Sequence, residues 1–188
     1  MFFNDFYHIL KIKDHLHYKS KIVNKISSFE IPHENKDVVN TNNQIIEYTS
    51  QISNSDWTIK NRINWFEYCF SDTDKKRIED FICKKFKVKS IEISNYWYNQ
   101  YYKQSGSGHP FHVHYDTDLV GVYYIELDDN SLRTSLINPH TKKETIPKSK
   151  EGDILFFSGD IIHGSPQNFT ETRKTIVSFN INFNREVK

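Results

Sequence analysis

Ile91-Glu92-Ile93-Ser94-Asn95-Tyr96-Trp97-Tyr98-Asn99-Gln100-Tyr101-Tyr102 is where the chain changes period. Residues alternate in twos there, aromatic and β-branched side chains dominate, and the segment predicts one long strand. Toward the C-terminus the same period predicts strands at 119–127, 132–138, 153–157 and 175–183, with another opening at His109-Pro110. Gly, Asn and Pro turns separate them, and residues 104–108 read as a loop. Short strands with no helix between them argue a mainly β sandwich or barrel.

Toward the N-terminus the period is helical. Apolar residues at 78, 81, 82 and 86 share one face of a helix over 73–86, with Ser71 or Thr73 as cap, acids in its first turn and lysines in its last. A weaker helix over 15–28 turns Ile22 and Ile26 inward, and 31–43, with Pro32, reads as loop. The expectation is a single domain over 1–188. Residues 1–89 would form a helical support packed on one sheet, and 90–188 the β core.

Composition sets limits on partners. Among 188 residues, 25 Lys and Arg meet 24 Asp and Glu, which argues against strong electrostatic attraction to nucleic acid or membrane. The lysine groups at 84–89 and 142–150 read as solvated surface. Two cysteines, Cys69 and Cys83, are too few for a secreted disulfide scaffold. Residues 1–6 lack the pattern of a signal peptide, and no apolar run approaches the ~20 residues of a membrane span, so a cytoplasmic location is expected. Trp57 and Trp65 are read as candidates for a homodimer surface or a substrate lid.

The chemistry gathers in three clusters. In His112-Val113-His114-Tyr115-Asp116, a continuous strand would project 112, 114 and 116 to one face. Two registers compete for a pair of metal ligands, His114 with Asp116 or His112 with His114. The first is preferred because two imidazoles and one carboxylate suit Fe(II) with open positions. His112 then stands behind the metal or faces substrate. The second cluster, Glu151 to Ser165, reads as a buried strand, a turn at 158–160 and His163 on the returning strand as third ligand, with Gly164 permitting close backbone approach. The third is Arg173-Lys174-Thr175: Arg173, ten residues past His163, can grip a carboxylate bidentately, and Thr175 can add a hydroxyl.

These residues resemble the Fe(II)/2-oxoglutarate-dependent oxygenases, whose motif is His-x-Asp/Glu, a distant His, and Arg or Lys about ten residues later. More narrowly they are similar to an oxygenase group of phages and marine bacteria with the signature His-x-His-x5-Ser-Gly-Val-Tyr-Tyr. The corresponding residues are His112-Val113-His114 followed by Val120-Gly121-Val122-Tyr123-Tyr124, then Gly152-Asp153-Ile154-Leu155-Phe156 with His163, then Arg173 to Asn180. The likeness covers about 95–183, and Val120 and Thr175 stand where the group has Ser. It implies a double-stranded β-helix (a jelly-roll barrel) with Fe(II) at its open end. It also implies 2-oxoglutarate as cosubstrate held by Arg173 and Thr175, and coupled oxidation by O2 of a protein side chain or small molecule. Tyr98, Tyr123 and Asn99 are candidate lining residues, Asn99 also a position behind the metal. Two rival readings are a cupin-type metal protein, which would not need Arg173, and a barrel kept without activity.

Overall fold

The computed structural model describes residues 6–29, 54–57 and 59–184; the expected loop at 31–43 falls outside them. Its strands are β1 (Tyr7–Lys11), β2 (Asn54–Ser55), β3 (Ser90–Tyr101), β4 (His109–His112), β5 (Leu119–Leu127), β6 (Ser135–Ile137), β7 (Glu144–Thr145), β8 (Asp153–Ser158), β9 (His163–Ser165) and β10 (Lys174–Asn184). The helices are α1 (His15–Ser27), α2 (Trp65–Cys69) and α3 (Asp72–Phe86), and Asn130–Leu132 forms a 3-10 turn. The larger sheet runs β1-β8-β5-β10-β3-β2, and the smaller runs β4-β9-β6-β7. All recorded pairings are antiparallel. This is the two-sheet jelly roll expected from the sequence.

The larger sheet is buried on both faces, so its strands read as nearly unbroken apolar runs. Val120, Val122, Tyr124, Leu155, Phe157 and Ile176 pack between the sheets with Leu132 and Leu136. Leu119, Tyr123, Ile125, Ile154, Phe156, Val177 and Phe179 face the other way, against α1, α2 and α3. Ile22 and Ile26 of α1 and Ile78 and Ile82 of α3 are fully buried in that layer, and Phe81 stacks on Phe156 with ring centroids 5.8 Å apart. Ser71 caps α3 by accepting from the Asp74 amide at 3.2 Å.

The N-terminal half also supplies strands. β1 extends the larger sheet beside β8, and β2 pairs with β3. Trp65, read from the sequence as a possible surface residue, is fully buried and donates its indole N–H to Asp56 at 2.5 Å. Trp57 is half-exposed and packs edge-on against Trp97 at 4.5 Å. Among the described residues no helix is long and apolar enough to cross a membrane.

Candidate metal and cosubstrate site

β4 and β9 lie side by side with His112 opposite His163. β4 ends at His112; Val113 and His114 continue irregularly, and the His114 amide donates to the Gly159 carbonyl at 2.8 Å. That contact needs a glycine, because a Cβ at 159 would lie 2.2 Å from the Thr117 oxygen and 2.9 Å from that of His114. The result brings His112, His114 and His163 together, with ligand nitrogens all within 4.8 Å of one another.

Each ring is fixed from behind. His112 Nδ1 lies 2.9 Å from the Pro110 carbonyl and His163 Nδ1 2.9 Å from the Ile161 carbonyl. A carbonyl only accepts, so both Nδ1 atoms carry the proton and both Nε2 lone pairs point inward. His114 Nδ1 is 2.7 Å from Asn180 Oδ1, and its Nε2 is 3.2 Å from that of His112. Burial holds all three pKa values below the ordinary imidazole value, that of His163 down to about 3 with help from His112. Neutral rings with converging lone pairs and Nδ1–H groups anchored on oxygen fit a metal ion. Three imidazoles suit Fe(II) among other divalent transition metals.

Asp116 is not part of this cluster. The strand alternation that would align 112, 114 and 116 stops at His112, and a turn follows in which Asp116 has φ 59° and is exposed. Of the two sequence registers, the geometry assembles His112 with His114.

The three histidines line an open cavity, walled also by Trp97, Asn99, Tyr101, His109, Ser165 and Ser178. The amide of Asn99 is engaged with neighbours other than the histidines. With its amide turned to suit its neighbours, it donates to the Tyr98 carbonyl and to Ser55 Oγ and accepts from Trp97 Nε1 at 3.2 Å, which fixes that indole.

Four other sequence candidates face away from the cavity. Tyr98 and Tyr123 sit under the helices, the phenol of Tyr98 donating to Asn54 Oδ1 at 3.1 Å and that of Tyr123 2.8 Å from His15 Nδ1. Arg173 donates twice to Glu126, at 2.8 Å each, and the hydroxyl of Thr175 donates to the same carboxylate. Gln100 Nε2 donates to Thr175 Oγ1 at 3.2 Å, extending this network along the outer face.

Lys174, between Arg173 and Thr175, takes the opposite direction. It is 1 % exposed and donates to Ser165 Oγ, on the cavity wall, at 2.7 Å. Its ammonium lies 5.1 Å from the Tyr101 ring centroid and 5.8 Å from that of Tyr124. Among the described residues no carboxylate pairs with it. Burial pushes its pKa down to about 7. A buried cation without an anion is costly, and such a site favours an anionic ligand. The signal was present in sequence: stepping back in twos from Asn180 through Ser178 and Ile176 reaches Lys174, not Arg173.

No family model and no curated protein matches the chain. Solved structures do. A viral collagen prolyl hydroxylase from Paramecium bursaria Chlorella virus-1, in complex with 2-oxoglutarate, superposes with a TM-score of 0.58 at 13% identity over 97% of this chain and 98% of that one. A Pseudomonas putida prolyl-4-hydroxylase gives 0.60 at 10% identity over 96% and 94%. EctD from S. alaskensis, with 2-oxoglutarate and 5-hydroxyectoine, gives 0.62 at 14% identity over 95% and 72%. The chain therefore has the jelly-roll fold of the 2-oxoglutarate/Fe(II)-dependent oxygenases.

Proposed function

We propose that the protein is an Fe(II)- and 2-oxoglutarate-dependent oxygenase, a hydroxylase in the simplest form, with His112, His114 and His163 as metal ligands. The observation that carries this reading is the convergence of three anchored imidazole nitrogens on one cavity. When bound, Fe(II) would bring O2 and the 2-oxo acid together, coupling oxidative decarboxylation to succinate and CO2 with oxidation of a second substrate. The chain's own residues do the rest. Three rings enter with their protons already placed on Nδ1, so metal binding needs no tautomer change. Lys174, with the Ser165 hydroxyl it orients, receives the far carboxylate of the dicarboxylate. Arg173, committed to Glu126, ties the start of β10 to β5 instead.

Lys174 also separates this reading from a cupin-type metal protein, which has no use for a buried cation held on Ser165 of the cavity wall. The prolyl hydroxylases among the similar structures suggest a protein side chain as substrate, with a small molecule as the alternative.

The test is an anaerobic titration of the Fe(II)-loaded protein with 2-oxoglutarate, following the visible charge-transfer band of the chelate. Wild type and Arg173→Ala should both develop the band, while Lys174→Met should need on the order of 100-fold more cosubstrate, the loss expected for an ionic hydrogen bond in a buried site. A band lost in Arg173→Ala and kept in Lys174→Met would overturn the placement of the cosubstrate. Fe(II) bound with no band in any form would overturn the oxygenase reading.

A further inference from the structure

A fourth imidazole faces the same cavity. His109 opens β4, three residues before His112, and in a regular strand the two would project to opposite faces. They do not, because the β4–β9 register shifts: His109 is opposite Ser165 and His112 opposite His163, three residues on one strand against two on the other. Such a bulge inserts one residue and re-aims the side chains beyond it. Pro110, which has no N–H to give to the ladder, lies within it. Gly164 leaves room for it, since a Cβ there would stand 3.0 Å from the His109 carbonyl oxygen and 3.3 Å from the Phe111 nitrogen.

The bulge sets the His109 ring against that of His112, with centroids 4.2 Å apart. Its strand partner Ser165 is the residue that Lys174 holds. His109 therefore lines the cavity with His112 on one side and, on the other, the Ser165 that the buried ammonium holds. Among the described residues its ring makes no hydrogen bond, unlike the rings of His112, His114 and His163. An imidazole carries at least one N–H in either protonation state, so it offers a donor there at any pH.

Resting on the cosubstrate reading above, we infer that His109 is a cosubstrate-binding residue. Its N–H donates to a carboxylate oxygen of the dicarboxylate that spans from the metal to Lys174. The bulge exists to aim it. Arg173 and Thr175, on the outer face, cannot perform this task; among the donors that line the cavity, His109 is the one that neighbours both a metal ligand and the Ser165 that Lys174 holds.

The experiment titrates 2-oxoglutarate into Fe(II)-loaded wild type, His109→Phe and His109→Gln under anaerobic conditions, reading the charge-transfer band. Fe(II) affinity is measured separately by competition with a chromophoric chelator, and thermal melting verifies that each variant is folded. His109→Phe keeps a flat ring against His112 without a donor and should weaken 2-oxoglutarate about tenfold, the worth of one hydrogen bond to a charged group. His109→Gln restores an N–H and should recover most of that loss, and Fe(II) affinity should be unchanged in both. Equal 2-oxoglutarate affinity in wild type and His109→Phe would overturn the role of His109 and leave the oxygenase reading standing. Loss of Fe(II) affinity in His109→Phe would also overturn it, making the ring a support for His112. A wild type that binds Fe(II) without any band would overturn both.

Discussion

Lys174 is the residue whose chemistry is most constrained by its surroundings. Burial lowers its pKa from 10.5 to about 7, so the ligand-free protein sheds that proton near neutrality. Between these two values the unfolded chain holds a proton that the folded one has lost, and this group makes folding more favourable as pH rises across the window. Dicarboxylate binding has the opposite slope. A carboxylate beside the ammonium favours the charged form, so binding takes up a proton above pH 7. Affinity for 2-oxoglutarate should be flat below about pH 7 and fall above it, approaching about tenfold per pH unit. His109, neutral above about 3, adds no slope there. Calorimetric titration in buffers of different ionisation enthalpy checks both the slope and the proton uptake. An affinity that rises with pH would remove Lys174 from the site. At this scale the directions of 173, 174 and 175 alternate, and which of them points in follows only once a residue further along the strand, such as Asn180, is known to face the cavity. Tyr98 and Tyr123 were misread for the same reason, since aromatic residues occupy both faces of a doubly buried sheet.

The elements themselves were largely readable. Strand 119–127 shows as an apolar run bounded by polar residues, and the helices at α1 and α3 follow from one-face spacing and capping, because each is long enough for its pattern to register. β1 and α2 are five residues each, too short for a period to register before the layer they pack on is known. The irregular stretch from His112 to Asp116 was the costly case. A strand was expected to continue, and instead a bulge precedes it and a turn ends it, which exchanges the carboxylate for a third imidazole. Gly159 is the hinge of that arrangement, since its neighbours at 2.2 and 2.9 Å are backbone oxygens that cannot rotate away. Gly159→Ala should therefore displace the 114–117 loop, cost about 1–3 kcal/mol of stability as overpacking does, and weaken metal binding about tenfold or more. Chemical denaturation and a metal titration on the same preparation check the pair. A variant with unchanged metal affinity would show that the loop does not set the position of His114.

Across the molecule the division of labour is between two faces of one sheet. The outer face carries the helices and the Arg173–Glu126–Thr175–Gln100 network, and the inner face carries the cavity. The three imidazoles come from β4, the segment after it and β9, so a metal bound by them ties the smaller sheet to the Gly159 turn and to Asn180 on the larger one. Metal binding must then stabilise the whole fold by linkage, by about 2.7 kcal/mol at a free metal concentration near 100 times Kd. The most direct test of the site compares anaerobic melting temperatures with and without Fe(II) for wild type, Asp116→Ala and His112→Ala. The predicted result is the same upward shift in wild type and Asp116→Ala and none in His112→Ala. A shift that disappears in Asp116→Ala and survives in His112→Ala would contradict the three-imidazole site.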